Sequence, residues 1–166
     1  MTEWFRTTRV FDHVFATDLD TLWGWFGDRE ARVAFDHRLL SLTVVSGVWQ
    51  TAGCVIERKW IDDRGTYLVS EFELLHIVPG YTFTDRLEAF NTVATTVRTT
   101  TVVDGGVLYR IEQTLETTSM TAELAARYPE RIEAILAPVK AREARAHAVG
   151  MAVIQAYLDS LKPTTP

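Results

Sequence analysis

A glutamate stands in the middle of an apolar helical stripe near the C-terminal end of this sequence. At about 100° per residue, Ile132, Leu136, Val139, Ala146, Gly150, Val153 and Tyr157 share one face, with Glu143 at its centre and His147 at its edge. A carboxylate among apolar neighbours is costly to bury without a partner. Ala146 and Gly150 beside it are too small to fill the surrounding space. The pattern singles out Glu143 as a carboxylate on the inward face, with His147 at the edge of the stripe and Gly150 leaving space beside it. A desolvated carboxyl rises in pKa and can remove or deliver a proton.

Companions for that carboxylate follow from strand parity, because successive side chains alternate faces. In the segment from Tyr81, the set Tyr81, Phe83, Asp85 and Leu87 opposes Thr82, Thr84, Arg86 and Glu88, so Asp85 points inward with Phe83. From Val107 to Leu115 the inward set carries Tyr109 and Gln113. Cys54, Ile56, Arg58 and Trp60 oppose Val55, Glu57, Lys59 and Ile61; the Trp60 face is the better inward candidate and brings Arg58, although the other face competes. Leu68, Phe72 and Leu74 oppose Glu71 and Glu73, which turns His76 inward. Phe5, Phe11 and Phe15 share parity with His13, against a competing set of Val10 and Val14.

Two kinds of role are open to these residues. In the chemical one, Asp85 or Glu143 is the acid/base group, while Arg58, Tyr109 or Gln113 steadies an enolate or phenolate oxygen. Trp60, Phe83, His13, His76, His147 and Gly150 then shape the ligand site. In the structural one, Arg58 forms an internal ion pair with Asp85 or Glu143, and Tyr109 and Gln113 satisfy each other. The histidines are then core or rim groups, the tryptophans are core, and Glu143 is solvated where the helix overhangs the sheet.

Other chemistries find no support. The histidines at 13, 37, 76 and 147 show no zinc-ligand spacing, and Glu143-x-x-x-His147 alone is a common helix pair. Cys54 lies in an apolar strand without an activating neighbour. No glycine-rich loop leads from a strand into a helix, so neither a metal nor a nucleotide cofactor is expected.

Composition agrees with a modest ligand-binding domain. The chain has 166 residues, 47% hydrophobic and 23% charged, enough for one sizeable core. Residues 1–162 are expected to form one domain and 163–166 a tail. The net charge of −5 repels polyanions, so nucleic acid is not an expected partner. A single cysteine, the lack of a basic leader and the lack of a long apolar run suggest a cytoplasmic protein without membrane insertion, a monomer or homodimer. The five Trp and the aromatic fraction of 11% suit a pocket for a small hydrophobic or aromatic ligand.

The elements that must position these groups are set by turns and period. Trp4 to Phe15 reads as a strand. Thr17 and Asp20 form a capping box for a short helix through Leu22, Trp23 and Phe26, and Asp28 caps a second one running to about His37. Leu40 to Thr117 is rich in Val, Thr, Ile, Tyr and Phe, and is broken at Gly47, Gly53, Asp62-Asp63-Arg64-Gly65, Pro79-Gly80, Asn91 and Asp104-Gly105-Gly106. That predicts six strands in an antiparallel meander, with the first strand as a seventh. The threonines from Thr92 to Thr101 express strand propensity. Met120 to Arg127 forms a short helix, and Pro129 starts a long one to about Leu161 that Pro138 should kink or restart.

This order resembles the START/Bet v 1-like superfamily, which includes polyketide cyclases, lipid carriers and plant hormone receptors. The resemblance covers nearly the whole chain. It is carried by Leu19-x-x-Leu22-Trp23, Val44-Val45-Ser46-Gly47, Glu71-x-Glu73-x-Leu75 and Val78-Pro79-Gly80-Tyr81. One departure is Ala16-Thr17-Asp18, where members often carry Ala-Pro. The resemblance implies an α+β helix-grip fold, a seven-stranded curved antiparallel sheet around the C-terminal helix. It also implies a cavity that either cyclises, aromatises or dehydrates a polyketide-like substrate, or carries or senses a lipid or metabolite without catalysis.

Overall fold

Strict alternation along the first strand decides which of its faces looks inward. In β1 (Phe5–Phe15) the odd residues are partly or fully buried, while Val10 and Val14 are 52% and 50% exposed. The phenylalanine face therefore wins over the valine face: a large aromatic removes more apolar area from water. The computed structural model describes residues 5–89, 92–117 and 120–162.

Two short helices follow, α1 (Leu19–Gly27) and α2 (Arg29–Phe35). The cap of α1 is Asp18, not the expected Thr17 with Asp20. Its carboxylate accepts from the Thr21 N–H at 2.8 Å and from the Thr21 hydroxyl at 2.7 Å. A carboxylate has an oxygen for each donor, whereas a threonine cap has only one. Asp28 caps α2 as expected, accepting from the Ala31 N–H at 2.8 Å.

The remaining strands are β2 (Leu39–Ser46), β3 (Val55–Ile61), β4 (Tyr67–Val78), β5 (Thr82–Ala89), β6 (Thr92–Val103) and β7 (Gly106–Thr117). They pair antiparallel in the order β1-β7-β6-β5-β4-β3-β2. In the β3–β4 hairpin, Asp62 accepts from the N–H groups of Arg64 and Thr66 at 2.9 and 2.8 Å, which fixes the turn. The break expected at Asn91 lies outside the described residues, as does the tail from 163. Register shifts interrupt the ladder in β2 and between Leu74 and His76 in β4, and such bulges bend the bulged strand.

After α3 (Met120–Arg127) and one 3-10 turn at Pro129–Arg131, the chain enters α4 (Ile132–Ser160). Pro138 lies within this helix and does not restart it; the residue is exposed. Met151, Ile154 and Leu158 of α4 pack with Phe15, Leu22, Trp25, Phe26, Val107 and Tyr109 in one core cluster. A second cluster, Leu39, Leu42, Cys54, Ile56 and Leu74, lies at the β2–β4 end of the sheet. Phe83 packs against both.

Gly106 shows how tightly the sheet closes on β1: a Cβ there would run into the Phe15 carbonyl, whereas one at Gly105 in the same turn would meet nothing within 4 Å. Gly106→Ala should therefore lower unfolding free energy by at least about 1–3 kcal/mol, and by more than Gly105→Ala. Urea unfolding of the two variants measures the difference, and equal losses would contradict this packing.

Candidate functional site

Between the two core clusters lies a cavity of about 420 Å³, a size that suits one small organic ligand. Its apolar walls come from Phe26 of α1, Ile56 of β3, Leu74 of β4, Phe83 of β5 and Met151 and Ile154 of α4. Trp23 and Trp25 on α1 and Trp49 in the β2–β3 connection also reach it. Two of these indoles are pinned by their N–H groups. Trp23 donates to the Thr100 hydroxyl at 3.0 Å and Trp49 to the Gly27 carbonyl at 2.8 Å. Fixed rotamers of this kind make a preformed aromatic lining.

The polar groups of the cavity are unusually cationic. Arg32 of α2, Arg58 of β3 and Arg98 of β6 all line it, against Asp36 and Asp85. Arg98 pairs with Asp85 and lies over the Phe83 ring, 4.9 Å from its centroid. It also reaches the Tyr109 hydroxyl. Asp36 is held by Arg38 at 3.2 Å. Arg58 donates to the Ser70 hydroxyl at 3.3 Å and stacks its guanidinium 4.9 Å from the Trp60 ring centroid.

Burial, then repulsion from Arg98, pushes Arg58 down to about 10; burial and the nearby Arg98 and Arg58 do the same to Arg32, also to about 10. Burial raises the Tyr109 phenol against the pull of Arg98 and Arg32, so the hydroxyl stays protonated at neutral pH.

No protein-family model matches the chain, and no curated relative matches it by sequence. Solved structures do match in fold. Ara h 8.0201 is 13% identical, with a TM-score of 0.68 over 93% of this chain and 99% of that one. A norcoclaurine synthase from Thalictrum, a point mutant in complex with a transition-state analogue, is 8% identical, with a TM-score of 0.66 over 98% and 100% of the two chains. The di-domain ARO/CYC BexL from the BE-7585A biosynthetic pathway is 10% identical, with a TM-score of 0.73; it covers 95% of this chain, which spans 51% of BexL. The chain has the helix-grip fold of the START/Bet v 1-like proteins.

Within this helix-grip frame, Asp85, Arg58, Tyr109, Gln113, Phe83 and Gly150 line the cavity. Several other expectations are corrected. Arg58 pairs with neither Asp85 nor Glu143, because Arg98 on the neighbouring strand takes the first and Arg9 takes the second. Glu143 lies outside the cavity: the helix surface at that point covers the edge strand β1, which contributes no lining residue. His147 stacks on Phe11 of β1 at 4.5 Å and His13 packs on Phe15 at 4.4 Å, so both leave the site for the same reason.

His76 is exposed instead of inward. The bulge at Leu75 shifts β4 by one residue, so Ile77 lines the cavity and parity beyond the bulge is reversed. Tyr81 is 58% exposed because it precedes β5, in the turn. Trp60 packs on the second core cluster beside Arg58 and does not line the cavity. Gln113 turns to the Thr96 hydroxyl at 3.5 Å and not to Tyr109. Trp23, Trp25 and Trp49, expected in the core, contribute to the cavity as well.

Arg98 and Arg32 escaped the sequence reading. Arg98 shares a face with Ala94, Thr96 and Thr100, all buried, so that threonine run does more than favour a strand. The alternation of those four residues was the available signal. Arg32 sits on a seven-residue helix, too short for a stripe to define its inner face.

Two measurements follow from these contacts. Asp85→Asn removes the carboxylate paired to Arg98 and should cost about 3 kcal/mol in urea unfolding; an unchanged midpoint would show the pair to be idle. Burial and the neighbouring His13 hold the His147 imidazole below its ordinary 6.5. The folded state thus binds fewer protons than the unfolded one in that range. The contribution is complete above about pH 6.5 and is lost as pH falls through the lower folded value. His147→Phe should flatten the fall in melting temperature between about pH 7 and pH 5; a slope equal to the parent's would refute the assignment.

Proposed function

We propose that the protein binds one planar, largely apolar molecule between the sheet and α4. What supports this reading above all is Gly150. It lines the cavity from the helix side, and a side chain added there would meet nothing within 4 Å. A glycine inside a helix is unfavourable by about 1 kcal/mol relative to alanine, so its presence suits a site where volume must stay free.

A catalytic form of the same reading is favoured by the grouping of Asp85, Arg98 and Tyr109 on one wall, and by the fold shared with an ARO/CYC. In it, Asp85 accepts a proton from a polyketide-like chain while the Tyr109 phenol donates a hydrogen bond to the developing enolate oxygen. Arg98 keeps the Asp85 carboxylate in place. Cyclisation, aromatisation and dehydration all need such a pair, and the cavity walls would hold the chain in the folded conformation that reacts. Glu143, ion-paired beneath α4, has no part in this chemistry.

The binding reading is tested by filling the space. The neutral dye phenylnaphthylamine should saturate one site on the parent protein. Gly150→Leu should weaken it by at least about tenfold, with the melting temperature unchanged or raised. Undiminished binding by Gly150→Leu would place the ligand elsewhere. Mass spectrometry of the native protein identifies any molecule that co-purifies. For the catalytic form, Tyr109→Phe should slow turnover of a polyketide-like substrate by at least about tenfold while leaving its affinity within about twofold. A loss of affinity alone would leave binding as the whole function.

A further inference from the structure

Three arginines reach one cavity, and among the described residues only one of them has a carboxylate partner. Arg98 is satisfied by Asp85. Asp36, the other cavity carboxylate, is engaged by Arg38, which does not line the cavity. Arg58 has the neutral Ser70 hydroxyl and the face of Trp60. Arg32 has no ion pair among the described residues; Arg98 and Arg58 repel it, while Tyr109 and Asp36 attract it at a distance, and Asp36 acts on Arg58 in the same way.

Held at about 10, both Arg32 and Arg58 remain charged near neutral pH. A chain whose net charge is −5 thus keeps a positive interior. Like charges gathered in a partly desolvated cavity are unfavourable. An oxyanion between them would replace that repulsion with charge-assisted hydrogen bonds. The guanidinium fork matches carboxylate geometry better than any other side chain. The apolar part of the lining, Phe26, Phe83, Leu74 and Ile154, suits a ring body.

We infer that the ligand is an anionic amphiphile: an aromatic or otherwise apolar body whose carboxylate, or an equivalent oxyanion, is clasped by Arg32 and Arg58. The inference rests on the cavity-binding reading and narrows it from any apolar molecule to an acid. It also assigns the two arginines a specificity role separate from the Asp85–Arg98 pair.

A matched pair of dyes tests it. Anilinonaphthalene sulfonate and phenylnaphthylamine share a ring body and differ by the anionic group. Titrated into the parent protein, the sulfonate should bind at least about tenfold tighter than the neutral dye. Arg32→Gln and Arg58→Gln should each reduce that ratio by at least about fivefold, with the affinity for the neutral dye kept within about twofold. Both variants, freed of an unpaired cation, should melt at or above the parent temperature without ligand.

Equal affinity of the two dyes for the parent protein would overturn the inference while leaving cavity binding intact. A ratio unchanged in both variants would overturn it too. Failure of both dyes to saturate would remove the cavity-binding reading and this inference together. The dye ratio on the parent protein decides the matter even if a variant fails to fold.

Discussion

A long helix laid across the inner face of an antiparallel sheet must either fill the space beneath it or leave that space to something else. In this protein α4 contacts the sheet firmly through Met151, Ile154 and Leu158, and then presents Gly150 where a large side chain would have closed the gap. The two core clusters consequently stand apart, bridged by Phe83. Everything of functional interest depends on that separation. It creates the cavity, exposes the inner faces of β3 to β7 to a guest, and lets charged groups survive where a packed core would have excluded them.

The charges divide into two groups with different physical characters. Arg9–Glu143 links β1 to α4 beneath the far part of the helix and holds two elements together without touching the cavity. Asp85–Arg98 spans β5 and β6 inside it, with Tyr109 on the adjoining strand. Arg32 and Arg58 belong to neither pair. Proteins tolerate uncompensated buried charge where it serves recognition more readily than where it only packs, which is why perturbed groups collect at sites. The same argument explains the aromatic lining: indoles pinned by their N–H groups keep the pocket open while presenting flat apolar surfaces.

Similarity to solved structures extends over most of the chain at identities of 8 to 13% for the three compared, so what is shared is the architecture. Fold of this kind is compatible with catalysis and with carriage alike. The inner residues, not the frame, distinguish the possibilities. An interior with three arginines and two aspartates points to recognition of a polar group as much as to enclosure of an apolar one.

Much of this was legible in the residues alone. Turn chemistry at Asp62 to Gly65, Pro79-Gly80 and Asp104 to Gly106 marked the hairpins, and the change of hydrophobic period after Ser119 marked the helices, because both signals are local. Parity found Asp85, Arg58, Tyr109, Gln113 and Phe83, since alternation holds within any strand that stays regular. It failed at His76, where one bulged residue reversed the faces, and no local signal marks that irregularity. The helical stripe found Gly150 but misjudged Glu143: a stripe tells which side of a helix is inward, not which strand lies below each turn. That β1 runs under Glu143 and His147, that Arg98 and not Arg58 meets Asp85, and that Arg32 joins them from α2 were decided only when distant segments packed. Ion pairs and cavities depend on the distance between residues far apart in the chain, and periodicity carries no information about that distance.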